Sequence, residues 1–135
     1  MNASLSLQKA IYERLLAEPA LKALIGDPPR VYDAAPPGGA FPFVLFGEER
    51  AHKLAGADGL IEHDLRLIVH SRHGGRSEIK DVLVALIDAL DGAPLILEGA
   101  RLVALRAAFF DIFPRADAGA HQGVLRLRAV TEDAP

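Results

Sequence analysis

The hydrophobic period of this chain switches repeatedly between two and 3.6 residues, and the order of those switches restricts the fold more than any single motif. From Leu60 to Arg72, Ile61, Leu65, Leu67 and Val69 point one way and Glu62, Asp64, Arg66, His70 and Arg72 the other. Successive strand side chains alternate between faces, so this segment reads as a half-buried strand. After His73-Gly74-Gly75 the period lengthens. Ile79, Val82, Leu83, Leu86 and Leu90 make one stripe between Arg76 and Gly92, the pattern of an amphipathic helix with a glycine stop. Alternation then returns. Val103, Leu105, Ala107 and Phe109 share one parity, as do Leu125, Leu127 and Ala129 in a final strand. An earlier stripe of Leu7, Ile11 and Leu15 marks a first helix over Leu5–Leu16, with Ser4 or Ser6 at its N-cap.

The remaining segments are shorter. Pro19 separates a second helix, Ala20–Ile25, which stops at Gly26. Val31-Tyr32 reads as a short edge strand, Asp33–Ala40 as irregular, and Phe43–Phe46 as the apolar start of a strand. Ala55–Gly59 and Pro114–Ala120 have hairpin-tip chemistry, and the chain from Thr131 reads as a frayed tail. Two hairpins separated by a helix predict an α+β fold: an antiparallel sheet of about four strands, with two main helices packed on one face. The other face should then carry Glu48, Arg50, Glu62, Asp64, Arg66, Arg106, Arg126 and Arg128, interrupted by Ile68, Phe110 and Ile112. Under straight alternation Phe110 and Ile112 cannot join the core that holds Phe109 and Phe113. A neighbouring subunit is the simplest cover for them, with the strand's twist or a loop as alternatives, and a solvated sheet face gives much the same charge pattern.

At 135 residues the chain is expected to form one domain over 1–135, with its core at about 5–131. It contains no cysteine, which excludes disulfide frameworks, thiolate catalysis and thiolate metal sites. The net charge of −3 argues against a dedicated phosphate-backbone binder. The longest uncharged run, Ala34–Gly47, is broken by prolines and glycines, so no membrane segment is expected. The start lacks a basic region followed by an apolar stretch, which implies synthesis in the cytoplasm.

The candidate chemical motifs are weak. His70 and His73 stand three apart across a strand end and read as surface histidines rather than metal ligands. His63 falls on the apolar parity and reads as partly buried or at an interface. His73-Gly74-Gly75-Arg76-Ser77 has neither P-loop nor dinucleotide-loop spacing, and no GxSxG nucleophile elbow occurs. The adjacent acids Glu48-Glu49 and Glu132-Asp133 point apart on a strand. No catalytic residue, cofactor site or metal site is expected.

Four stretches carry a resemblance. They are Leu7-Gln8-Lys9-Ala10-Ile11-Tyr12-Glu13-Arg14-Leu15; Val31-Tyr32-Asp33 with Phe41-Pro42-Phe43-Val44; His63-Asp64-Leu65 through Ser71-Arg72 and the following helix to Ala93-Pro94-Leu95; and Gly123-Val124-Leu125-Arg126-Leu127-Arg128-Ala129. In this order they resemble the phage-type tail terminator, or tail completion, family of siphophage-like particles and gene transfer agents. Members often carry an aromatic residue before the Ser-Arg pair, where this chain has His70. The resemblance implies a virion structural protein and no enzyme. It implies a ring, typically a hexamer, at the head-proximal end of the tail tube, which ends tube polymerisation and joins the tail to the head connector. The implied partners are further copies of the chain, the tail tube protein and the head connector or stopper, with DNA passing through the lumen unrecognised. Assembly in the bacterial cytoplasm and a final place at the tail–head junction follow from the same likeness. On this reading the subunit interface falls on Glu62, Asp64, Phe110, Ile112, Arg126 and Arg128. Contacts to tube or connector fall on His52, Lys53, Leu54, Pro36 and Pro37. The competing readings are a head–tail connector or stopper, and a small α+β ligand-binding module, which needs a closed pocket with convergent polar groups.

Overall fold

The computed structural model describes residues 2–34, 36, 38–56, 58–72, 76–114 and 120–133. Each stretch of constant period becomes one element: α1 (Ala3–Leu16), α2 (Pro19–Ile25), β1 (Val31–Tyr32), β2 (Phe43–Lys53), β3 (Leu60–Ser71), α3 (Ser77–Leu90), β4 (Ala100–Pro114) and β5 (His121–Asp133). The strands form one sheet in the order β1-β2-β3-β5-β4. β2, β3, β5 and β4 are antiparallel neighbours. β1 adds a fifth strand, pairing Val31 with Val44 and Tyr32 with Leu45 in parallel. The sheet is therefore mixed, with five strands rather than the expected four antiparallel ones. A tight turn would have made β1 antiparallel. The irregular Pro- and Gly-rich segment instead carries the chain back to the end at which β1 began.

Three helices cover one face. α3 buries Ile79, Val82, Leu83, Leu86 and Leu90, while Leu7, Ile11 and Leu15 of α1 and Leu21 and Ile25 of α2 complete the helical half of the core. From the sheet come Val44, Leu65, Leu67, Val69, Leu105, Leu125, Leu127 and Ala129. Polar ties fix the layers. Ser6 Oγ donates to the Glu98 carbonyl at 2.8 Å, Arg14 Nε to the Ala89 carbonyl at 3.1 Å, and Ser71 Oγ to the Glu78 carboxylate at 2.6 Å. The N-cap of α1 is Asn2, ahead of the expected Ser4 or Ser6. Its side chain accepts from the Ser4 and Leu5 amides at 3.0 and 3.3 Å, so both serines already lie inside the helix.

β5 runs on to Asp133, and Thr131, expected in a frayed tail, is buried. The reason is His63. This residue follows the core parity of β3 and is 2% exposed, and its Nε2 hydrogen-bonds Thr131 Oγ1 at 2.8 Å. Nδ1 has no partner among the described residues. Burial holds the His63 pKa below its usual 6.5, opposed in part by the Glu49 carboxylate. An imidazole with a depressed folded pKa binds its proton more readily in the unfolded chain. Stability from this site is therefore complete above about pH 6.5 and declines as pH falls below it. The unfolding midpoint should drop between pH 7 and 5, and H63Q should flatten that dependence. A variant that kept the full slope would assign the effect elsewhere.

Candidate interaction surface

The face away from the helices is a grid whose rows follow the strand register. Crossing from β2 through β3 and β5 to β4, one row reads His52, Glu62, Val130, Ala104, and the next Arg50, Asp64, Arg128, Arg106. A third row has Arg66, Arg126 and Phe109, with Glu48 beside Arg66. Then follow Leu45, Ile68, Val124, Asp111, and lastly Phe43, His70, Gln122, Phe113. Charge gathers towards the β2–β3 hairpin and apolar surface towards the other end.

Two register irregularities shape this grid. In β2 the ladder shifts between Phe46 and Glu49, so Gly47 and Glu48 together oppose Arg66. That bulge lets Val44 face the core while Arg50 faces out, which straight alternation forbids. In β4 the ladder shifts at Val103 and again at Ala108. Beyond the second shift the parity inverts. Phe110 lies opposite Leu125 and Ile112 opposite Gly123, so both turn to the helix side, where Ile112 packs on the core. Phe109 and Phe113 turn outward, 47% and 41% exposed, while Phe110, at the sheet edge, is 42% exposed on the helix side. The expected placement of Phe110 and Ile112 beside Arg126 and Arg128 is therefore incorrect, and Phe109 and Phe113 occupy that face. The available signal was Asp111. With Phe109 and Phe113 inward, unbroken alternation would drive its carboxylate into the core, at a cost larger than that of exposing two rings. An edge strand absorbs the extra residue because it has one neighbour only.

The remaining predicted interface residues, Glu62, Asp64, Arg126 and Arg128, do share this face. Arg126 makes a two-pronged ion pair with Asp64, its Nε donating to Oδ1 at 2.8 Å and a terminal nitrogen to Oδ2. That hydrogen bonding, with the positive charge of Arg126, Arg128 and Arg66, holds the Asp64 carboxyl below the usual carboxylate range against the effect of burial. The Arg126 pKa is raised by the same bond. The pair stays ionised across ordinary pH and loses its contribution only as pH falls through the depressed Asp64 value. Arg126 also lies over the Phe109 ring at 5.5 Å, Arg66 donates to Glu48 at 3.0 Å, and His52 stands 3.5 Å from Glu62. Ile68, Phe109, Phe113 and Val124 line a shallow cleft of about 320 Å³ between these charges. His70, in the usual aromatic position, stacks on Phe43 at 4.9 Å, so an imidazole fills the aromatic place.

The predicted tube and connector residues do not cluster. His52 and Lys53 end β2, and Leu54 closes the hairpin by donating its amide to the Leu60 carbonyl at 3.0 Å. Exposed Pro36 lies instead in the segment between β1 and β2, outside that hairpin. Pro37, His73, the glycine turn after it and residues 115–119 of the second tip lie outside the described residues.

No metal-binding cluster occurs among the described residues, and no helix among them is long and apolar enough to cross a membrane. A groove of about 400 Å³ between α1 and β1 is lined by Tyr12, Tyr32, Phe46, Lys9 and Asp33 among others. It is open rather than closed, with Gln8 donating to Asp33 at 3.2 Å across its rim.

Comparison with known proteins agrees with this picture. Residues 9–132 match the family model described as tail completion protein gp17. The structure is similar to a chain in the virion of a native gene transfer agent particle. The two share 32% identity at a TM-score of 0.88, over 97% of this chain and 98% of the other. No curated protein sequence matches the chain.

Proposed function

Because the chain belongs to the tail completion protein gp17 family, we propose that it is the tail terminator of a phage-like particle. On this reading it forms a ring, most simply a hexamer, on the head-proximal end of the tail tube. The ring stops tube polymerisation and presents the surface that receives the head connector or stopper. The observation that carries this reading is the likeness in both sequence and structure, across nearly the whole chain, to a protein of a gene transfer agent virion. The geometry supports it: a mixed-charge face with exposed aromatics is suited to contact between proteins.

Two separate segments suit two different neighbours. His52, Lys53 and Leu54 belong to the β2–β3 hairpin and Pro36 to the segment between β1 and β2, so a ring built from this subunit offers tube and connector separate contact zones. The intersubunit surface is placed on Glu62, Asp64, Arg126 and Arg128, with Phe109 and Phe113 in place of Phe110 and Ile112. The particle assembles in the bacterial cytoplasm, DNA passes through the lumen without specific binding, and the whole of 1–135 acts as one domain.

Deletion of the gene in a particle-producing strain tests the reading. Electron microscopy should show tails of uncontrolled length or tails detached from filled heads, and particle-mediated transfer should fall at least ~1,000-fold, as for loss of any obligatory assembly contact. Tails of normal length on normal heads would reject it.

A further inference from the structure

The sheet face and the helix layer carry opposite charge patterns on opposite sides of the subunit. On the sheet side, Arg50, Arg66, Arg106, Arg126 and Arg128 share two adjacent rows with the carboxylates of Asp64 and Glu48. Arg106 and Arg128 are paired in the ladder; neither makes an ion pair among the described residues, although Asp64 faces Arg128 from β3 and the Arg106 guanidinium lies beside Gly92 at the sheet edge. Like charges facing across a ladder are unfavourable, and an incoming carboxylate relieves them. Phe109, 47% exposed, lies in the adjoining row.

On the helix side, Ser77, Asp81, Val84 and Asp88 form the outward stripe of α3, at helical spacing and turned away from the sheet. Val84 is 53% exposed between the two aspartates. Neither aspartate has an ion-pair partner among the described residues, and Lys80 stands at the flank of the stripe. Asp81 and Asp88 are about 10 Å apart along the helix at ~1.5 Å per residue. That distance equals about two strand spacings of ~4.8 Å, the separation of Arg50 on β2 from Arg128 on β5 within one row.

We propose that these two surfaces are the two halves of one contact: the Asp81–Val84–Asp88 stripe of α3 docks on the arginine rows of the next copy, with Val84 against Phe109. The inference rests on the ring reading and deepens it by naming both partners in the subunit contact. A cyclic head-to-tail assembly needs two different, complementary patches on each subunit. These patches lie on opposite sides, so neither can satisfy the other within one molecule. A two-fold dimer cannot pair them without leaving one of each open. The occupant of the sheet face is a second copy rather than DNA, because the exposed Phe109 ring calls for an apolar partner, which the α3 stripe supplies in Val84 together with its carboxylates and a phosphate backbone does not.

The absence of native cysteine makes the test direct. Particles are prepared from a strain lacking the gene and supplied with V84C, F109C or the double variant, then oxidised. The double variant should give a ladder of linked subunits rising to the closed ring, and each single variant should give monomer only. In parallel, D81K/D88K and R106E/R128E should each reduce particle-mediated transfer roughly 100-fold, from juxtaposed like charges, and the combined variant should recover most of it. Failure to cross-link, dimers from V84C alone, or undiminished transfer by D81K/D88K would overturn the contact. Joined tails that lose only DNA delivery in R106E/R128E, without rescue, would overturn it in favour of DNA. These outcomes are separable from failure of the ring reading, which requires that the deletion itself leave tails normal.

Discussion

G123V should destabilise the protein by about 3 kcal/mol, the upper part of the usual range for overpacking a filled core. In a chain of this size that lowers the unfolding midpoint by roughly 10 °C. Gly123 lies in β5 where α3 crosses the sheet. A Cβ there would stand 2.8 Å from Ile79 Cγ2 and 3.3 Å from Leu83 Cδ1. Strand propensity argues the other way, since valine is favoured in strands over glycine by up to ~1 kcal/mol. Packing wins because Ile79 is β-branched and stiff at χ1, so its Cγ2 cannot swing aside without moving α3. Net stabilities of domains are only about 5–15 kcal/mol, so the loss is a large share of the total. I79A makes the cause testable. Alone it leaves a cavity and costs about 2–5 kcal/mol, but it also removes the colliding methyl. The double variant should therefore be more stable than the sum of the two losses allows. Strict additivity in thermal or urea unfolding would show that strain at Gly123 lies elsewhere.

The second large effect separates two neighbouring phenylalanines. F109D should leave the unfolding midpoint nearly unchanged, because the ring is half exposed and loses chiefly its contact with Arg126. Exposed substitutions usually stay within about 0.5 kcal/mol. Particle-mediated transfer should nevertheless fall by roughly two orders of magnitude, since in the proposed contact the added carboxylate would face the aspartates of the neighbouring helix. F110A should do the reverse. Its ring lies on the helix side opposite Leu125, at the sheet edge and still 42% exposed, so truncation should cost about 1 kcal/mol of burial and leave assembled particles competent. Paired measurements of melting and transfer decide the matter. Equal behaviour of the two variants would mean that the inverted parity of β4 has no functional consequence.

Asp111 explains why that distinction is hard to read from residues alone. Period-two alternation holds along β3 from Leu60 to Ser71, and every inward position of its second half is buried. The same rule fails in β4 at Ala108, where no glycine or proline marks the irregularity. The only trace is a carboxylate whose straight-strand position would have been internal. The second failure, the tail after Thr131, has a similar origin. Thr131 is ordered because it satisfies His63, a residue 68 positions away along the chain.

What the amino-acid order determined by itself was the set of elements and their inward faces. Periodicity, proline and glycine positions act over a few residues, so the three helices, the two hairpins and the core stripes follow from local physics. The family likeness was legible for the same reason, since it rests on the order of those stretches. Only the tertiary structure decided the parallel addition of β1, the bulges, and hence which aromatic residues meet the arginines. Each of these depends on how strands pair across long sequence separations, where the energy of burying one side chain or carboxylate selects among registers that local sequence leaves equally open.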